Sequence, residues 1–375
     1  MRKITLSIIA MLASAWTSDA SAQLADGFYH IKNVTTGRCI SINDTNPSNY
    51  KVSSGDVNMA GIRTYLDYDT VAVSPSCVIF IKRLDNGQYD LCGQGSSLYE
   101  MSSKRLGVDL SLQNDGSFRI TGTADGITKT LSDGSPSEDD SWLMNRLNTT
   151  ELWQAKAINT SNEFIGIRPE VRTADGSYYG TMYAGYNFRL VSPGMAAFYV
   201  SNAGGSGFTM NEIEGDIIPS GTPVIIRCNS ADPEDNKIEP VIGGYTFDQP
   251  NWLGGVFCSL YVSRHHNTTL FDRITMRVLG LSEDGQLAFI SNPAPERLYK
   301  DQFLMANKAY LKVNPNDADV MTLGGYTAIN DAKTSVKSSD DTNSGIYTLA
   351  GVRLPEGATL RPGIYIQNGK KRIVR

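Results

Sequence analysis

The chain has 375 residues, of which 41% are hydrophobic and 19% charged, and a formal net charge of −5 at pH 7. That is the composition of a folded protein, and it excludes an intrinsically disordered chain. The mildly acidic balance supplies no electrostatic footprint for nucleic acid or an anionic membrane surface.

Residues 1–22 read as a secretory signal peptide rather than as part of the fold. Arg2 and Lys3 open it, residues 4–15 are apolar, and Ala20-Ser21-Ala22 offers small residues for cleavage between Ala22 and Gln23. No later run approaches the ~20 apolar residues of a spanning helix. An exported protein without a transmembrane anchor is expected, secreted or on the outer cell surface, with the periplasm as the alternative. Cys39, Cys77, Cys92, Cys228 and Cys258 fit no zinc spacing. Cys77–Cys92 and Cys228–Cys258 are near enough in sequence to bridge, but small buried residues within strands is the favoured reading.

Residues 23–193 form the first expected domain. Short apolar–polar alternations recur with glycine turns between them, as at Asn86-Gly87, Asp115-Gly116 and Asp175-Gly176. The phrase Gly-x-aromatic-x-aliphatic appears at Gly27, Gly87 and Gly116. Its recurrence predicts a β-trefoil-like barrel of irregular repeats. The Gln-x-Trp signature of sugar-binding trefoils is missing, since no tryptophan has a glutamine two places before it. Only residues 149–157, with Leu152, Trp153 and Ala157, have the spacing of a short helical turn.

Residues 194–327 form the second expected domain, also all-β and a small barrel or sandwich. Its predicted strands are 196–201, 208–214, 223–228, 237–242, 275–281, 286–291 and 309–313. Residues 328–344 are rich in Ser, Thr, Asp and Lys and read as a polar linker. Residues 345–375 carry two alternating runs around a Pro/Gly loop and then the hairpin signal Asn368-Gly369. This predicts three short strands. The segment is basic, with Arg353, Arg361, Lys370, Lys371, Arg372 and Arg375 against Glu356.

The tail phrases Gly345-Ile346-Tyr347, Leu349-Ala350-Gly351, Pro362-Gly363-Ile364-Tyr365-Ile366 and Asn368-Gly369-Lys370-Lys371 resemble the C-terminal element of many secreted and surface proteins of Bacteroidetes. The body is similar to uncharacterised secreted proteins of the same bacteria, through residues 24–34, 221–226 and 276–280. The resemblance implies a sorting or anchoring device of the type nine secretion kind, with Gly363, Tyr365, Asn368, Gly369, Lys370 and Lys371 at its centre. The implied partner is secretion or surface-attachment machinery.

Chemistry-bearing motifs are sparse. His265-His266 has no third histidine nearby, and adjacent side chains on an extended strand diverge. Glu212, Glu214 and Asp216 read as a solvated strand face rather than a glycosidase pair. The acidic loop 133–140 lacks calcium-loop spacing, and Asp69-Thr70-Val71 is a short O-glycosylation-like match. No nucleophile elbow, zinc motif or phosphate loop occurs, and no catalytic residue, metal or cofactor is expected. The ligand-binding candidates are aromatic: Tyr178, Tyr179 and Tyr183, in a segment that also holds Tyr186 and Phe188, and Trp252, which would stack on sugar rings if exposed. The expectation is a non-catalytic binding protein for a glycan or an extracellular or host protein. A secreted hydrolase of glycans or peptides is the first alternative, and a structural or adhesin-type spacer or trefoil-type protease inhibitor the second.

Overall fold

The computed structural model describes residues 23–41, 65–68, 75–98, 100–101, 104–105, 107–124, 126–131, 151–159, 163–256, 270–299, 301–324, 346–348, 363–367 and 370–374. Ala22, the loop 133–140, the linker 328–344, His265-His266, Asp69-Thr70-Val71, Cys258 and the turn Asn368-Gly369 lie outside the described residues. The chain divides into two compact units, Met1–Tyr326 and Thr327–Arg375. Both are all-β, and among the described residues the only helical turns are short 3-10 segments.

Six strands of the first unit close into a barrel. Gly27–Asn33 pairs with Ile79–Arg83, which pairs with Tyr89–Gly93, and Tyr89–Gly93 meets Val108–Leu112. Val108–Leu112 then pairs with Phe118–Ala124. Trp153–Ala157 closes the ring, pairing with both Phe118–Ala124 and Gly27–Asn33. Every pairing is antiparallel, and because the circuit closes on Gly27–Asn33 it has no terminal edge strand.

The recurring phrase explains the interior. Each copy sends its aromatic and its aliphatic residue, two positions apart, to the same face of a strand. Tyr29 and Ile31, Tyr89 and Leu91, and Phe118 and Ile120 all enter one buried cluster with Trp153. In two of the copies the preceding glycine turns the chain: Gly87 has φ 86° and Gly116 has φ 81°. A side chain there would meet its own backbone.

The helical turn expected at 149–157 is a barrel strand instead, Trp153–Ala157. Trp153 is fully buried, donates from Nε1 to the Leu131 carbonyl at 3.1 Å, and shares its face with Ala155. That alternation has period two, and burying an indole of this size outweighs the weak helical spacing of its neighbours.

The rest of the unit holds two sheets. Ile165–Gly166, Lys237–Val241, Asn187–Leu190 and Ile217–Ile218 form a four-stranded sheet. Ten strands running from Val171–Arg172 to Leu253–Val256 form a larger, curled half-barrel. One core cluster, around Phe188, Met182 and Ile226, includes residues of both sheets; another, around Phe208, Phe289 and Leu311, belongs to the curled sheet. Residue 193 marks no break in this pairing. Tyr178–Met182 pairs with Val224–Cys228, and Asn187–Leu190 with Lys237–Val241, so strands on both sides of it share both sheets.

Cys39, Cys77, Cys92 and Cys228 are buried thiols, not disulfide partners. In the second unit, Ile346–Thr348, Gly363–Gln367 and Lys370–Val374 form an antiparallel three-stranded sheet, in which Tyr365 lies opposite Arg372.

Candidate functional site

Strand periodicity separates the aromatic candidates. Tyr178 and Tyr179 are neighbours on Tyr178–Met182 and so face opposite sides of the sheet. Tyr178 packs on the cluster around Phe188, with the Arg172 guanidinium 5.5 Å above its ring. Tyr179 and Trp252 both pack on the cluster around Phe208 and Leu311. All three are half-buried, as part of the walls of the core.

Tyr183 lies one residue past that strand and belongs elsewhere. Its N–H donates to the Asn307 carbonyl at 3.0 Å, and its own carbonyl accepts from Asn307 Nδ2 at 2.9 Å. Its ring presses on Gly255, where any Cβ would overlap ring carbons. Burial and the nearby Tyr310 push its phenol pKa up. The ring lines a depression of 330 Å³, together with Phe247, Asn251, Gln249, Thr222 and Lys312.

A second depression, of 290 Å³, opens where the barrel meets the four-stranded sheet. Its aromatic lining is Phe28, Phe80 and Tyr186, with Phe28 4.9 Å from Phe80 and 5.7 Å from Tyr186 between ring centroids. Exposed Lys82, Ser220 and Ile242 stand around it. Ser220 lines both depressions, which adjoin at that residue and are together termed the groove.

Hydrogen bonds fix the walls. Asn187 Oδ1 accepts from the Ser220 N–H at 2.8 Å, and its Nδ2 donates to the Val241 and Gly243 carbonyls at 3.3 and 2.8 Å. Gln94, from the barrel, accepts from the Gly185 N–H at 2.6 Å and donates to the Pro75 carbonyl at 3.2 Å. The Tyr186 hydroxyl is buried and has no hydrogen-bond partner among the described residues. Burial pushes its pKa far above the ordinary tyrosine value, so it stays a proton donor throughout the neutral range.

Apolar rings, a few fixed polar groups and a preformed concavity are what a small-ligand site requires. No carboxylate or imidazole is among the described residues lining either depression. His30 lies in the barrel, fully buried, with Nδ1 3.3 Å from Glu163 Oε2. Lys32 and Lys156 also approach that carboxylate, at 3.6 and 3.5 Å. Glu212, Glu214 and Asp216 are exposed, and Asp216 meets Arg189 at 3.3 Å. Among the described residues no three His, Cys, Asp or Glu side chains gather as a metal site, and no helix is long and apolar enough to cross a membrane.

Of the four aromatic candidates, then, Tyr183 alone lines the groove. Tyr186, of the same aromatic segment, lines it too, whereas Phe28 and Phe80 do not stand out in the sequence because each sits in an ordinary alternating strand. Phe28 neighbours the inward Tyr29 and so faces out of the barrel, which was the available signal. No known family model matches the chain, and no curated protein matches it in sequence.

Proposed function

We propose that the protein is a non-catalytic, exported binding protein whose groove takes a segment of glycan. The observation that carries this reading is the adjoining pair of depressions with aromatic rings in each and Ser220 between them. Sugar rings offer apolar C–H faces to such rings and hydroxyls to Ser220 and Lys82. A groove extending over both suits several linked residues better than one compact metabolite.

The trefoil reading of the barrel belongs to the same proposal. Support comes from its three long connections, which leave the barrel at 34–78, 94–107 and 125–152. The first contains the hairpin of Arg38–Ser41 with Tyr65–Tyr68, the second that of Glu100–Met101 with Lys104–Arg105, and the third the strand Ile127–Thr130. The signal-like start and the basic tail support export and attachment, with the tail engaging secretion or surface-attachment machinery.

The test is a glycan array probed with the protein lacking residues 1–22. Specific binding that Tyr183→Ala and Phe80→Ala both weaken is the expected result. Absence of binding, or binding indifferent to both substitutions, overturns the glycan reading of the groove. A protein ligand would then be sought by cross-linking at the same face.

A further inference from the structure

A third cavity, of 450 Å³, shares no lining residue with the groove and differs from it in charge. Three cations line it, Arg168, Arg297 and Lys308, against two carboxylates, Glu170 and Glu296. One of those carboxylates is already fully engaged. The Glu170 side chain is only 15% exposed. Its Oε1 accepts from the Thr181 N–H and Oγ1, both at 2.7 Å, and from Lys308 Nζ at 3.0 Å. Its Oε2 lies 3.4 Å from Arg297 Nη1, and Arg297 Nη2 donates to the Glu170 carbonyl. Burial pushes this carboxyl pKa up, but Lys308 and the Thr181 hydrogen bonds outweigh it and hold the pKa below the usual glutamate value.

Glu170 therefore serves as an anchor that holds two cations side by side at the cavity wall. Arg168 stands apart. It is exposed, and its guanidinium enters no hydrogen bond or ion pair among the described residues. Glu296 is likewise exposed and forms no ion pair among them. The rest of the lining includes Leu304, Tyr310 and the 37%-exposed Met305, and Tyr310 lies two residues from Lys308 on the strand Lys308–Lys312, on the same face. A guanidinium fork without a partner among the described residues, in one cavity with two fixed cations and with apolar and aromatic side chains, is complementary to a carboxylate carried on a compact carbon skeleton.

We propose that this cavity binds a carboxylate-bearing sugar of the uronic acid class. Arg168 grips the carboxylate in a bidentate pair, Arg297 and Lys308 add positive potential from the wall, and the pyranose ring rests on Tyr310 and Met305. The cavity volume falls within the range of ligand pockets of monosaccharide size and above. This site stands independently of the neutral-glycan reading of the groove.

Titration calorimetry of the protein lacking residues 1–22 tests it with glucuronate, glucose and acetate as probes. Glucuronate should bind, glucose should not, and acetate should bind more weakly than glucuronate because it lacks the ring. Arg168→Ala should weaken glucuronate about tenfold or more, and Arg168→Lys, which keeps the charge but loses the fork, by less. Phe80→Ala, on the barrel side of the groove, should leave glucuronate binding unchanged, which separates this site from the groove. Equal affinity for glucose, acetate as tight as glucuronate, indifference to Arg168→Ala, or no glucuronate binding would each overturn the proposal. Arg168 is exposed, so matching melting temperatures of the variants will show that they are folded.

Discussion

Gly185 donates its backbone N–H to Gln94 Oε1 at 2.6 Å, and the Gln94 carbonyl occupies the place where a Cβ on Gly185 would project. This is where the barrel touches the sheets beyond it. Gln94 itself is held at φ 47°, in the left-handed region, so the contact is built from two backbones in close approach.

Gly185→Ala should therefore disturb the junction rather than either core. The loss should be about 1–3 kcal/mol, the usual cost of overpacking a tight contact. Urea unfolding of a Trp142→Phe, Trp252→Phe background lacking residues 1–22, in which Trp153 is the remaining tryptophan, should show fluorescence and far-ultraviolet circular dichroism separating in the variant. Coincident transitions with an unchanged midpoint would mean that the junction contributes nothing to cooperativity.

Arg277 presents a different case, a guanidinium 2% exposed inside the curled sheet. Its nitrogens donate to the carbonyls of Ala318, Arg273, Met276 and Asp317 at 2.6–3.1 Å, tying the loop before Val320–Leu323 to the strand Met276–Leu281. Arg277→Ala would strand those carbonyls without donors and should cost about 3–5 kcal/mol. Arg277→Lys keeps charge but cannot span four acceptors, so it should fall well below wild type. A thermal melt within a degree of wild type for the lysine variant would show that charge alone suffices.

How far the sequence carried this fold follows from period and glycine. The strands predicted at 196–201, 223–228 and 237–242 correspond to Ala196–Gly204, Val224–Cys228 and Lys237–Val241, because apolar residues alternate or run together there. Leu253–Val256 was missed. Its Gly254 and Gly255 carry no strand propensity, and their purpose emerges only in space, where Tyr310 and Tyr183 press on them. The same limit hid the groove and the charged cavity, which unite residues as far apart as Phe28 and Ile242, and Arg168 and Tyr310. Nothing local in the chain encodes such meetings.

Tyr179 and Tyr183 should separate stability from binding. Tyr179 packs on the curled-sheet core, so Tyr179→Ala should cost about 2 kcal/mol and lower the melting temperature while sparing glycan binding. Tyr183 lines the groove, and Tyr183→Ala should weaken binding. Side-by-side melts and array signals decide the matter; binding lost in Tyr179→Ala at temperatures where that variant is folded would shift the site to the other face.

Acid should destabilise the protein through two particular carboxylates. The hydrogen bond with His30 holds the Glu163 pKa below the ordinary glutamate value, and Lys32 and Lys156 lower it further against the opposing effect of burial. Glu170 is lowered as well, by Lys308 and the Thr181 hydrogen bonds. In both cases the native state holds its proton less tightly than the unfolded chain, so unfolding takes up protons once pH approaches the unfolded value. The stabilisation is complete above about pH 5, and it declines as pH drops past about 4.3 toward the depressed native pKa values. Urea midpoints measured from pH 7 to pH 3 should fall along this window in the wild type. Glu170→Gln should start lower at pH 7, having lost its pairing with Lys308 and Arg297, and then show a shallower decline because one linked proton is gone. Glu163→Gln should behave likewise, with a smaller initial loss, since an amide oxygen can still accept from His30. Parallel curves for the wild type and both variants would mean that other carboxylates govern the acid limb.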